Sequence, residues 1–313
     1  MIRRISVADM TREEWVQSRK NTIGGSDAAT VIGLNPYASP YSLWAEKTGR
    51  VPDPEDNEGM RQGRDLEEYV ARRFCEATGK RVRRDNYTYY NTKYPWAHAN
   101  IDRAIIGEDA GLECKTTTTL NLKKFKNGEY PVNYYVQSMH YMAVTGKSKW
   151  YIACLVLGKG FYHFEVDRDE DEIAALMKAE ADFYEYIKSD TEPPVDGTEA
   201  TTNAISLAYK ANEPSASTIV SLLGYEGTLE ALSAVKQEIE ALTKRENELK
   251  NKIKVYLGNE TAGETEKHRV TWKEQRKSTF DHKRFAEAHP EIDLSEFFNE
   301  ISLRVFKLTE KEI

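Results

Sequence analysis

Asn100-Ile101-Asp102 is followed, ten residues further on, by Glu113-Cys114-Lys115. Both pieces read as β-strands, and this pairing limits the fold more than any other feature of the chain. Residues i and i+2 of a strand share a face. Glu113 and Lys115 therefore point together, and Cys114 points the opposite way into packing. With Asp109-Ala110-Gly111 as the turn, a hairpin carries Asp102 across from them. Two carboxylates and a lysine then converge on one patch of sheet.

That set suits phosphodiester hydrolysis. Carboxylate oxygens are hard ligands for Mg²⁺. The metal acidifies a bound water and offsets charge developing on the phosphate, and a nearby lysine orients the water and stabilises the transition state. A further acid would complete the metal shell. The helix expected over 60–78, closed by Gly79, supplies Glu67 at the edge of the apolar face made by Leu66, Tyr69, Val70 and Phe74. Gln137 lies in the helix that follows the two strands. The alternative is bland: exposed strands often carry Glu and Lys with no catalytic meaning.

Around this centre the chain alternates helices and strands. Helices are expected over 12–19, 28–32 (capped by Ser26 or Asp27), 40–48, 133–145 and 169–189. Strands are expected over 81–90, 99–106 and 111–117, with a hairpin of 150–157 and 160–166. This order predicts an α/β core with a mixed, curved sheet flanked by helices. Residues 1–190 form the expected domain and 191–204, with two prolines and few aliphatic residues, the linker. The region 205–313 is an accessory part with a long amphipathic helix over 228–257, then a short strand or hairpin and another helix. That long helix could pack on the core, pair with a copy of itself or dock another protein.

The three cysteines, Cys75, Cys114 and Cys154, are far apart and form no zinc or iron–sulfur spacing. No apolar run is long enough to span a bilayer, and the first residues lack the apolar core of a signal peptide. The expectation is a cytoplasmic protein with no membrane partner. The formal net charge of −7 argues against indiscriminate coating of nucleic acid, but leaves room for a local basic grip. Arg81, Arg83 and Arg84, with Lys80, form one basic run; Lys123, Lys124 and Lys126 form another. Either could track phosphates or simply be a solvated face. The tyrosines at 87, 89, 90 and 94 and Trp96 suit packing better than base stacking.

Asp102 with Glu113-Cys114-Lys115 resembles the PD-(D/E)xK nuclease motif. The wider pattern resembles the YqaJ-like viral recombinase family, relatives of lambda-type exonucleases, over residues 10–190. It includes Trp15, Arg19, Ile23-Gly24-Gly25-Ser26-Asp27, Asn35-Pro36-Tyr37, Leu43-Trp44, Gly63-Arg64-Asp65-Leu66-Glu67, Gln137 and Val144-Thr145-Gly146. The resemblance implies a restriction-endonuclease-like core. It implies Glu67, Asp102, Glu113 and the Cys114 main-chain carbonyl as ligands of Mg²⁺, two ions with Mn²⁺ as substitute, Lys115 as catalytic lysine, and Gln137 as a further site residue. Arg19 and Ser26 match a pair that holds a terminal 5′-phosphate, though Ser26 could merely cap a helix and Arg19 pair with a surface acid. The motif departs from the family where Ile101 replaces the usual proline. Asn100, a candidate DNA contact, stands in place of a serine, Met139 in place of a second glutamine, and Pro36 in place of a phosphate-binding arginine.

The function so implied is a Mg²⁺-dependent exonuclease that resects double-stranded DNA ends, 5′→3′, for phage-type recombination. A ring-shaped homotrimer and a RecT-like or beta-like single-strand annealing partner come with the resemblance. A structure-specific endonuclease on the same core and a non-catalytic DNA-end-binding module are the competing readings.

Overall fold

A computed structural model describes residues 1–53, 56–118, 122–209, 219–298 and 304–309. The chain divides into two compact units, Met1–Tyr209 and Lys210–Ile313.

In the first unit the order is β1 (Ile2–Ser6), α1 (Arg12–Lys20), α2 (Gly25–Val31), α3 (Pro40–Lys47), α4 (Glu58–Thr78), β2 (Val82–Arg84), β3 (Tyr87–Asn91), β4 (Tyr94–Asn100), β5 (Arg103–Ile105), β6 (Ala110–Thr117), α5 (Leu122–Lys126), α6 (Val132–Thr145), β7 (Lys149–Val156), β8 (Gly160–Asp167), α7 (Glu170–Ser189) and α8 (Glu199–Ala208). Five strands form a mixed sheet in the order β2-β5-β6-β7-β8, and three form a second sheet in the order β1-β3-β4. All pairings are antiparallel except β6 with β7.

The expected strands over 81–90 and 99–106 each prove to be two. The chain leaves the five-stranded sheet after Arg84, pairs as β3 and β4 in the other, and returns at Arg103. Asp85 and Asp102 mark the two crossings. Between them Tyr89 Oη donates to Asp85 Oδ2 at 2.9 Å, which ties β3 back to the first corner. The turn from β5 to β6 falls at 106–109, with Gly107 at φ +87°, two to three residues earlier than the Asp109-Ala110-Gly111 turn the sequence suggests.

The five-stranded sheet is covered on both faces. On one side Val70 and Phe74 of α4 pack on Ile105, Leu112 and Tyr151. On the other, Val136, Met139 and Met142 of α6 pack with Trp150 and Ile152. α4 exists because its apolar residues recur at helical spacing, Asn57 caps it by accepting from Met60 N at 3.0 Å, and Gly79 ends it in the left-handed conformation at φ +71°. α2 (Gly25–Val31) begins three residues earlier than expected. Gly24 is its cap, and Asp27 reaches back to accept from Gly24 N at 2.9 Å, so neither Ser26 nor Asp27 caps it.

Residues 199–208 lie in the stretch expected to be linker and early tail, but they form α8. Thr198 caps it, Ala204 is buried with Tyr41, Trp44 and Phe183, and Thr201 Oγ1 lies 2.7 Å from Ser39 Oγ. The low aliphatic content misled the reading, because α8 docks through small residues.

The second unit contains α9 (Glu226–Leu257), the antiparallel hairpin β9 (Ala262–Glu264) with β10 (Arg269–Thr271), α10 (His282–Ala288) and a 3₁₀ turn at Ser295–Phe297. Val235, Ile239, Leu242, Leu249 and Ile253 of α9 are exposed. Among the described residues no helix is long and apolar enough to cross a membrane.

Candidate active site

β6 carries the centre of the site. Leu112 and Cys114 face α4, so alternation turns Glu113 and Lys115 toward α6. There Gln137 joins them. Lys115 Nζ donates to Gln137 Oε1 at 2.9 Å, and Gln137 Nε2 donates to Glu113 Oε1 at 2.8 Å. Lys115 Nζ also lies 2.7 Å from that same Glu113 oxygen. Gln137 Nε2 donates further to Tyr141 Oη at 2.8 Å. Tyr141 is a site residue that the motif reading passed over; its i+4 spacing from Gln137 puts it on the same helix face.

Asp102 stands at the second crossing between sheets, one residue before the β5–β6 pairing of Arg103 with Leu112. That places it beside Glu113, as the hairpin argument expects. Its Oδ2 accepts from Cys114 N at 2.7 Å. Burial, then the Glu113 and Glu67 carboxylates, push its pKa well above the ordinary 3.8. The same surroundings push the Cys114 thiol up and hold Tyr141 protonated. Lys115 goes the favourable way. Burial opposes its charge, but Glu113 and then Asp102 outweigh that and raise its pKa, so the amine stays an ammonium ion.

The donors suit a hard cation. Glu113 Oε2 is buried without a hydrogen-bond partner, beside a second carboxylate whose charge is under pressure. Among the described residues no three His, Cys, Asp or Glu side chains are gathered to hold a metal. Mg²⁺ needs only one or two carboxylates and keeps several waters, so Asp102 and Glu113, helped by the Cys114 carbonyl, fit it. Glu67, expected to complete the metal shell, lies close enough to press on the Asp102 charge but is held in an ion pair. Buried Arg103 intervenes: its Nη1 donates to Glu67 Oε1 and to the Asp102 carbonyl at 2.8 Å, and its Nη2 to Glu68 Oε2 at 2.8 Å. Glu67 is nonetheless the more inward of the two acids, 24% exposed against 82% for Glu68.

Arg19 and Ser26 meet as expected, with Arg19 Nη2 3.4 Å from Ser26 Oγ. The guanidinium lies over the Trp15 ring at 4.3 Å, and its Nε donates to His98 Nε2 at 3.1 Å. Among the described residues no carboxylate pairs with it. Asp27, whose carboxylate feels the Arg19 charge, is held by Lys47 at 2.7 Å. Arg19 and Ser26 line a cleft of about 550 Å³ with several acids, in which Lys20 is paired with Asp53 and Lys47 with Asp27. Gly24 and Gly25 connect this cleft to the catalytic patch. A Cβ at Gly25 would sit 2.5 Å from the Tyr141 ring.

The remaining candidates are scattered. Arg81, Arg83 and Arg84 are exposed on and beside edge strand β2, and Lys123 and Lys124 are exposed on α5. Lys124 lines a groove with Tyr37, Thr116, Thr117 and Tyr134, whose Tyr134 ring lies 5.2 Å from Lys115 Nζ. Asn100 Nδ2 donates to Thr88 Oγ1 at 2.7 Å, and its Oδ1 is buried without a partner. Met139, in the place of a second glutamine, is core.

A curved mixed sheet with an acid at its corner and a Glu-x-Lys strand beside it defines the restriction-endonuclease-like α/β class. The sequence pattern of the YqaJ-like viral recombinase domain matches residues 14–148. The uncharacterized protein YqaJ of Bacillus subtilis (strain 168) is 34% identical over 289 residues, covering 91% of this chain and 90% of that protein. The chain belongs to the YqaJ-like viral recombinase family. Among solved structures, LHK-Exo in complex with dAMP shares 21% identity and a TM-score of 0.51, over 57% of this chain and 93% of that one. A second structure of LHK-Exo, an alkaline exonuclease from Laribacter hongkongensis, shares 22% identity at a TM-score of 0.48, over the same shares.

Proposed function

We propose that this protein is a Mg²⁺-dependent exonuclease that resects double-stranded DNA ends from the 5′ terminus. The single strands it leaves would feed an annealing protein in phage-type recombination. The observation that carries this is the closed arrangement of Lys115, Glu113 and Gln137 beside Asp102. Family membership and the exonuclease named in the solved structure of similar fold support it.

Asp102 and Glu113 would hold Mg²⁺ (or Mn²⁺), and Glu67, released from Arg103, would serve a second ion. Bound there, the metal supplies an acidified water and neutralises phosphate charge. Lys115 remains protonated, so its role is to donate to the water or phosphate oxygen and not to act as a base. Gln137 keeps the Lys115 and Glu113 side chains at fixed separation. Arg19 and Ser26 would receive the terminal phosphate in the adjoining cleft.

The assay is nucleotide release from 5′-phosphorylated linear duplex with Mg²⁺, beside a covalently closed circle. Release from the linear form alone is expected, with a loss of about 10²–10³-fold in Lys115→Ala. No release, or equal release by that variant, ends the proposal. Cutting of the circle makes it an endonuclease.

A further inference from the structure

The Arg19 guanidinium is pinned from behind. An arginine Nε–H donates and cannot accept, so the His98 Nε2 it meets at 3.1 Å must be bare. The proton of the neutral ring is then on Nδ1, which donates to Thr22 Oγ1 at 2.8 Å. His98 is buried on β4. Its carbonyl oxygen accepts from His140 Nε2 at 2.8 Å, and His140 Nδ1 lies 2.7 Å from Glu180 Oε1. Gly24 leaves the ring no slack, since a Cβ there would be 3.0 Å from it. Burial, then the Arg19 charge, also hold His98 neutral.

We propose that His98 is the positioning residue that sets Arg19 for a terminal phosphate. The imidazole takes the Nε–H, the Trp15 ring takes one face, and Nη2 reaches toward Ser26. A long, many-rotamer side chain fixed in advance loses less freedom on meeting its ligand. His98 thus contributes to discrimination between 5′-phosphate and 5′-hydroxyl ends without touching either. The inference rests on the reading of Arg19 as the phosphate ligand.

The test compares the Kd of the full chain for 5′-phosphorylated and 5′-hydroxyl duplex ends, by fluorescence anisotropy in EDTA. Asn at position 98 reproduces the Nδ1 donor to Thr22 but offers Arg19 no acceptor; Gln reaches the Nε2 position and restores one. In His98→Asn the preference for phosphate should fall about tenfold, the worth of a hydrogen bond to a charged group, with hydroxyl-end affinity unchanged. In His98→Gln the preference should return. Thr22→Val, at a half-exposed site, lets the proton move to Nε2 and should weaken the preference too. It decides the matter if His98→Asn does not fold by circular dichroism. If Arg19→Ala abolishes the preference while His98→Asn, or Thr22→Val in its stead, keeps it, His98 has only a packing role and the proposal is overturned. If the wild type shows no preference, or Arg19→Ala keeps it, the phosphate reading itself fails.

Discussion

Asp102 is the residue on which burial and like charge bear together. Both raise its pKa above the ordinary 3.8, burial first and the Glu113 and Glu67 carboxylates after it, so the folded chain holds that proton more tightly than the unfolded chain. Above pH 4 the unfolded state then carries fewer protons, and stability falls as pH rises until the raised pKa is passed. Asp102→Asn removes that slope. In thermal melts without divalent metal, the variant should be more stable than wild type at neutral pH, and added Mg²⁺ should raise the Tm of the wild type only. A wild-type Tm that does not fall between pH 4 and 7 relative to the variant would contradict this. Asp102, Glu113 and Lys115 were legible because alternation in a strand is a property of spacing alone. Arg103 was not: a charged residue next to an acid gives no sign that it will be 2% exposed and will turn Glu67 and Glu68 toward itself. Nor was His98, whose role depends on Arg19, 79 residues away.

Among elements, β6 and its neighbours tolerate little change. Gly111 faces Trp150 in register across the parallel pair, and a Cβ there would lie 2.3 Å from the indole. Trp150 in turn packs on Tyr141 at 5.0 Å, which accepts from Gln137. Gly111→Ala should therefore destabilise the protein by about 1–3 kcal/mol in chemical denaturation and also weaken nuclease activity, whereas a purely local effect would leave activity intact. α8 gives a second test. A chain ended after residue 209 keeps the Ser39–Thr201 contact and buried Ala204, so it should melt roughly 5 °C higher than one ended after 190. Helices such as α4, α6 and α7 could be read to within two residues, because caps and 3.6-residue periodicity are local. The split of β2 from β3 and of β4 from β5 could not. Nothing in the residues at 85–86 or 101–102 marks a strand as leaving one sheet for another, since that depends on partners distant in sequence. The same holds for β1, which pairs with β3 residue by residue.

At the scale of the molecule, a net charge of −7 coexists with exposed basic residues on the β2 edge and α5. Binding to duplex DNA should therefore depend on a few local contacts. Replacing Lys123 and Lys124 together with alanine should lower the slope of log affinity against log salt by about 0.9 per lost phosphate contact; an unchanged slope would make them a solvated face. The parallel pairing of β6 with β7, Ala110 with Lys149 through Thr117 with Val156, has a consequence in time. The partner strand lies about 40 residues further along the chain, which at roughly 5–20 residues per second takes the ribosome about 2–8 s to make. During that interval the nascent chain already contains both acids and the lysine, but β6 has β5 alone as a strand neighbour. The site should therefore close late in synthesis: a chain ended before residue 149 is expected to release no nucleotide from duplex ends, and release by such a chain would contradict this.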